Sequence, residues 1–254
     1  SMLNLIEPAK PDDPIAAQFV PSTAELKEHD HDINDPIGDE RHSPVPGIVH
    51  RYPDRLLLTP IRVCPVHCRF CFRRETVGQK GSSSLSAAEL DAALDYIANH
   101  EEVWEVILSG GDPLILSPRR LKGIIQRLDA IPHVKVIRIH TRVPVVSPES
   151  AGTPLVDALR TGKALFVVLH SNHPREMTAA ARQSCSRFID NGIPLLIQLV
   201  LLKGVNDNAA TLERLLRGLV ENRIKPYYLH HADRAPGTAH FRTTLAAGQS
   251  LMEQ

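Results

Sequence analysis

Three cysteines stand within eight residues, Cys64, Cys68 and Cys71, in the spacing CxxxCxxC. Thiolates are soft anionic donors that suit iron–sulfur clusters. A [4Fe–4S] cube has four irons, so three cysteines leave one iron open to bind and activate a ligand. A zinc site is the competing reading. Structural zinc takes four closed ligands, often from paired CxxC knuckles. His67 could be a fourth donor, but the chain has no second knuckle. The remaining cysteine, Cys185, lies in a helical pattern more than a hundred residues on and reads as a buried packing residue.

The loop needs a scaffold, and the chain downstream supplies one. Short apolar runs recur at 56–63, 105–109, 135–141, 164–171, 195–202 and 225–231. Their length and β-branched or leucine content fit buried parallel strands. Helical patterns separate them. Ser86 and Glu89 form a capping box for 87–99, and Ser117-Pro118 opens 119–130. The stretch 176–191 ends in Asn191-Gly192, a C-cap signature, and 208–222 and 244–254 complete the set. Six β–α units in a row imply a parallel sheet. Polar residues gather at the C-terminal end of nearly every strand, which favours a partial (β/α)6 barrel with its site on that rim. Residues 1–54, rich in Pro, Asp and His, read as an extended arm with one short helix near 21–29; residues 55–254 form the barrel.

Composition sets bounds. The chain has 254 residues, 43% hydrophobic and 23% charged, enough for a sizeable core. Lys plus Arg equals Asp plus Glu at 29 each, which argues against a nucleic-acid partner. No apolar run is long enough to span a membrane, and no signal-peptide pattern opens the chain. Clustered cysteines without a disulfide framework fit a cytoplasmic protein. Ser1 ahead of Met2 reads as a cloning remnant.

The wider strings carry a resemblance. They are His50-Arg51-Tyr52-Pro53-Asp54-Arg55, the cysteine loop with Phe70, Phe72-Arg73-Arg74-Glu75 and Ser109-Gly110-Gly111-Asp112-Pro113-Leu114. After them come Arg138 to Pro144, Asn172 to Glu176, Leu202 to Asp207 and Lys225 to His231. In this order they resemble the lysine 2,3-aminomutase family of radical S-adenosylmethionine (SAM) enzymes, from about Asp12 onward. The resemblance implies a radical SAM type of partial barrel, with a [4Fe–4S] cluster, SAM and pyridoxal 5′-phosphate (PLP). It implies migration of the α-amino group of L-lysine to the β-carbon, driven by a 5′-deoxyadenosyl radical. It places Gly110, Gly111, Asp112, His170 and Gln198 near SAM, and Arg51, Tyr52 and Arg55 around PLP. Arg73 matches the arginine that holds the substrate carboxylate, and Asp233 an aspartate that pairs with the ε-ammonium. An external electron donor such as a flavodoxin or ferredoxin and a homo-oligomeric assembly are implied too. The family's glycine-rich segment with the PLP-anchoring lysine has no counterpart here; the uncapped helical pattern at the end reads as truncation. Related readings are the enzyme that makes β-lysine for elongation factor P, and an aminomutase for another amino acid.

Overall fold

The structure, a computed structural model, describes residues 2–78 and 83–254; Ser1 lies outside them. The first elements belong to the arm. Asp13 caps α1 (Pro14–Phe19) by accepting from the N–H groups of Ile15 and Ala16, each at 2.8 Å. Proline at the first helical position completes the start signal. The helix expected near 21–29 is shorter, a 3-10 turn over Thr23–Leu26 closed by a capping box from Ser22 and Glu25.

The arm then ends in a strand. β1 (Ile48–Tyr52) turns at Pro53-Asp54 and pairs antiparallel with β2 (Arg55–Ile61). Five more strands follow, each parallel to the last: β3 (Glu105–Gly110), β4 (Val136–Thr141), β5 (Ala164–His170), β6 (Leu195–Leu201) and β7 (Lys225–His231). Their order in the sheet is their order in the chain, so each connection is a local crossover. The helices α2 (Ala87–Ala98), α3 (Pro118–Asp129), α4 (Val143–Val146), α5 (Thr153–Asp157), α6 (Ala179–Asp190), α7 (Ala209–Glu221) and α8 (Leu245–Met252) fill those crossovers and the end. The expected helix 176–191 starts three residues late, at the Thr178 cap. Glu176 is drawn away into a buried ion pair with Arg142.

Alternation along the strands sorts two faces. Leu56, Leu58, Val106, Leu108, Ile137, Ile139, Val167, Leu169, Ile197 and Leu199 join one buried apolar core, and Phe188 of α6 and Leu215 of α7 pack into it. The intervening positions, Glu105, Ser109, Arg138, His140, His170 and Gln198, turn to the opposite, concave face. There the sheet curls: the Arg138 guanidinium of β4 lies 5.8 Å from the ring centre of Tyr227 on β7. The six parallel strands make a partial barrel with β1 added at one edge and β7 left as the other.

Candidate active site

The cysteine loop leaves β2 and is fixed where it leaves. Gly111 and Asp112 donate their N–H groups to Ile61 and Val63, at 2.8 and 2.9 Å. Gly110 has φ +99°, and a Cβ on Gly111 would meet Val63 backbone at 2.2 Å. Only glycines let the two strand ends approach this closely. A side chain on Gly111 would collide with the Val63 backbone, and Gly110 lines a cleft. Asp112 departs from expectation. Its carboxylate accepts from Thr141 Oγ1 (2.7 Å) and the N–H groups of Arg142 (2.6 Å), Val143 (3.1 Å) and Leu114 (3.1 Å). Both oxygens are engaged, so Asp112 clamps β3 to the turn after β4 rather than facing a ligand.

The loop brings the three thiols together. Burial pushes the Cys71 thiol up to about 11, with the neighbouring Cys68 adding to it. Cys64 reaches solvent on one side, yet surrounding protein, the Asp112 carboxylate and the other two thiols hold its pKa well up. Such thiols stay protonated until a cation replaces their protons. Among the described residues no three His, Cys, Asp or Glu side chains converge on a single metal ion. This does not argue against a cube, in which each cysteine ligates a different iron. His67 is turned toward Gly78, where an added Cβ would lie 2.6 Å from its Nε2. Cys185 is wholly buried in α6, as expected of a packing residue.

Around the loop the concave face carries unspent polar atoms. His170 Nε2 and His140 Nε2 are buried without a hydrogen-bond partner. Burial, with the nearby Arg138 and Arg73 cations, pushes His140 down to about 3; burial and Arg142 hold His170 well below its usual range. Both rings are neutral at pH 7. The His170 ring lies 5.5 Å from that of Phe70 in the cysteine loop. Gln198 pairs with His170 along the sheet and has no side-chain hydrogen bond among the described residues. Orphaned atoms and a free amide beside the three thiols fit a polar cofactor.

Arg73 lies within electrostatic reach of Asp233. Burial raises the Asp233 carboxyl, and His230, His231 and Arg73 pull it back. Its carboxylate accepts no hydrogen bond among the described residues. Arg73 already grips a carboxylate: its Nε and Nη2 hold Asp39 Oδ2 at 3.0 and 2.9 Å, and Nη1 reaches Ser109 at 3.4 Å. Asp39 also lies 3.7 Å from Arg51. Its part was hidden in the sequence because Asp35 and Asp39 read only as loop formers. A cleft of about 630 Å³ lies on this side, lined by Arg73, Asp39, Gly110 and Arg62 among others. Arg55 goes elsewhere. It pairs with Asp54 at 3.0 Å, sits 3.9 Å from Glu105, and stacks 5.8 Å from the exposed Tyr52 ring. The hairpin thus offers two guanidiniums and a phenol, the donor set of a phosphate site, but sends Arg51 and Arg55 to different acids.

Acids of the arm strap it to the barrel rim. Asp13 holds Arg175 at 2.7 Å, Glu25 holds Arg69 and Arg74, and Asp32 holds Arg242 at 2.5 Å. Burial alone would push Glu25 up, but hydrogen bonds from Arg69, Arg74 and the Ser22 N–H bring it from 4.5 down to about 2. A carboxyl depressed on folding adds stability above its unfolded pKa and loses it as pH falls through the folded one. Glu25→Ala should therefore cost roughly 3 kcal/mol at pH 7. It should also flatten the acid loss of stability between about pH 4.5 and 2. Urea unfolding across a pH series checks both; an unchanged acid limb would contradict the assignment.

Known proteins fit this geometry. The radical SAM superfamily profile matches residues 58–216. The L-lysine 2,3-aminomutase of Acetoanaerobium sticklandii is 43% identical over 251 residues, 99% of this chain and 60% of that protein. The same-named enzyme of Escherichia coli is 38% identical and matches 100% of this chain and 74% of its own length. The glutamate 2,3-aminomutase of Clostridioides difficile is 36% identical, covering 99% and 59%. The chain thus spans about 60% of the length of the A. sticklandii and C. difficile proteins. Streptococcus suis SuiB bound to its precursor peptide SuiA shares the fold alone, with TM-score 0.60 and 16% identity over 81% of this chain and 46% of that one. Among the described residues no helix is long and apolar enough to cross a membrane. Membership in this superfamily brings a [4Fe–4S] cluster and SAM. The chain belongs to the radical SAM superfamily, and within it to the lysine 2,3-aminomutase family.

Proposed function

We propose that the chain carries the radical core of an L-lysine 2,3-aminomutase, forming β-lysine from L-lysine. The observation that carries this reading is the Asp233 carboxylate, partly buried and without a hydrogen bond among the described residues, within electrostatic reach of Arg73. A guanidinium fork suits the substrate's carboxylate and a partly buried aspartate its ammonium. A glutamate side chain would be repelled by Asp233, so the cationic substrate is favoured over the anionic one named for the C. difficile relative.

Cys64, Cys68 and Cys71 would hold the cluster. Bound there with SAM, it supplies a reductive source of a 5′-deoxyadenosyl radical, with electrons from a flavodoxin or ferredoxin. His170 and Gln198 would bond the SAM head, His170 as a neutral ring. Arg51 and Arg55 would exchange their present acidic partners for a PLP phosphate, with Tyr52 beside Arg55. Phe70, His170 and Phe241 pack together and exclude water from the loop's inner side.

The test is an anaerobic assay with reconstituted cluster, reductant, SAM, PLP and L-lysine, read by mass spectrometry. β-Lysine with little net 5′-deoxyadenosine is expected. Deoxyadenosine without β-lysine would keep the radical core and remove the lysine assignment.

A further inference from the structure

Arg142 follows β4 and is buried, with 5% of its surface exposed. Its Nη1 donates to Cys68 Sγ at 2.9 Å. Its Nη2 donates to Gln18 Oε1 at 2.7 Å and Glu176 Oε2 at 2.6 Å. The guanidinium lies between two rings, 4.7 Å from Phe19 and 5.4 Å from Phe70. Glu176 is itself held by Gln18 Nε2 and the Asn172 N–H, each at 3.0 Å. The fork is thus fixed from the arm, from the cysteine loop and from the turn after β5, with one prong on a sulfur.

We propose that Arg142 is a positioning residue that raises the reduction potential of the cluster through Cys68, and that Gln18, Phe19 and Glu176 hold it to that task. The proposal rests on the reading that Cys64, Cys68 and Cys71 carry the cluster. Reduction adds one electron to the cube, taken from a low-potential one-electron carrier, with no proton or other co-reactant. The added negative charge spreads onto the ligating sulfurs. A cation and a hydrogen bond at one sulfur stabilise the reduced form more than the oxidised form. Glu176, farther from the sulfur, offsets part of that effect.

The test is an EPR-monitored redox titration of the reconstituted chain and its Arg142→Gln, Arg142→Lys and Glu176→Gln variants, with iron measured in each. The midpoint should become more negative in Arg142→Gln, less so in Arg142→Lys, and more positive in Glu176→Gln. Arg142→Gln leaves Glu176 without its cation; should it not fold, the other two variants still shift in opposite directions. Equal midpoints at equal iron content overturn the proposal alone. A native chain that binds no iron–sulfur cluster overturns the cluster reading and this proposal with it.

Discussion

Replacing Cys68 with serine should remove the cluster's iron and lower 5′-deoxyadenosine formation by at least about 1,000-fold. The loop has three thiols and no spare soft donor: His67 is turned toward Gly78, and Cys185 is sealed in α6. A hard hydroxyl in place of a thiolate leaves one iron without a strong ligand. Cys68 also accepts the Arg142 hydrogen bond, so its loss strips the buried cation of its anionic partner on the cluster side. Iron and sulfide analysis with EPR of the reduced protein measures the outcome. The Cys185→Ser chain should keep full iron content. Full iron and full activity in Cys68→Ser would instead place the metal elsewhere.

Arg73→Lys should lower kcat/KM for L-lysine by roughly 100-fold, mostly by raising KM. A charge-assisted fork on a carboxylate contributes about 3 kcal/mol when two bonds form, and lysine keeps the charge but not the fork. At present its Nε and Nη2 both hold a single oxygen, Oδ2, of Asp39. An anchor that binds ground and transition states alike acts on KM. Steady-state kinetics of the two chains decide the matter: a fall in kcat at constant KM would mean that Arg73 acts on the reacting atoms instead.

Five of the six parallel strands were legible as short, largely apolar runs bounded by caps and turns, because a strand buried by helices tolerates little else; the exposed β7 was marked by its place after α7. Ser86, Ser117, Asn191 and Gly192 marked helix ends for the same local reasons. The arm was not legible. Asp13-Pro14 starts a helix and 48–52 forms a strand, but both sit in a Pro- and Asp-rich context that reads as loop. What fixes Asp13 is distant, Arg175, and what fixes β1 is its hairpin ladder to β2. The same holds for the site. Cysteine spacing is local and was read directly. Asp112 carries no mark that its oxygens are engaged thirty residues away, nor Glu176 that it belongs to Arg142.

The exposed edge of the sheet has a consequence for how the chain behaves in a crowded solution. Among the described residues β7 pairs with β6 alone, and its Tyr227 and Tyr228 are 42% and 45% exposed. Such an edge invites strand addition by another copy and, with it, aggregation. Pro226 interrupts that edge. It has no N–H to give, and the register with β6 slips beside it, between Ile197 and Gln198. The ladder cannot run on evenly past this point, so an incoming strand finds a broken template.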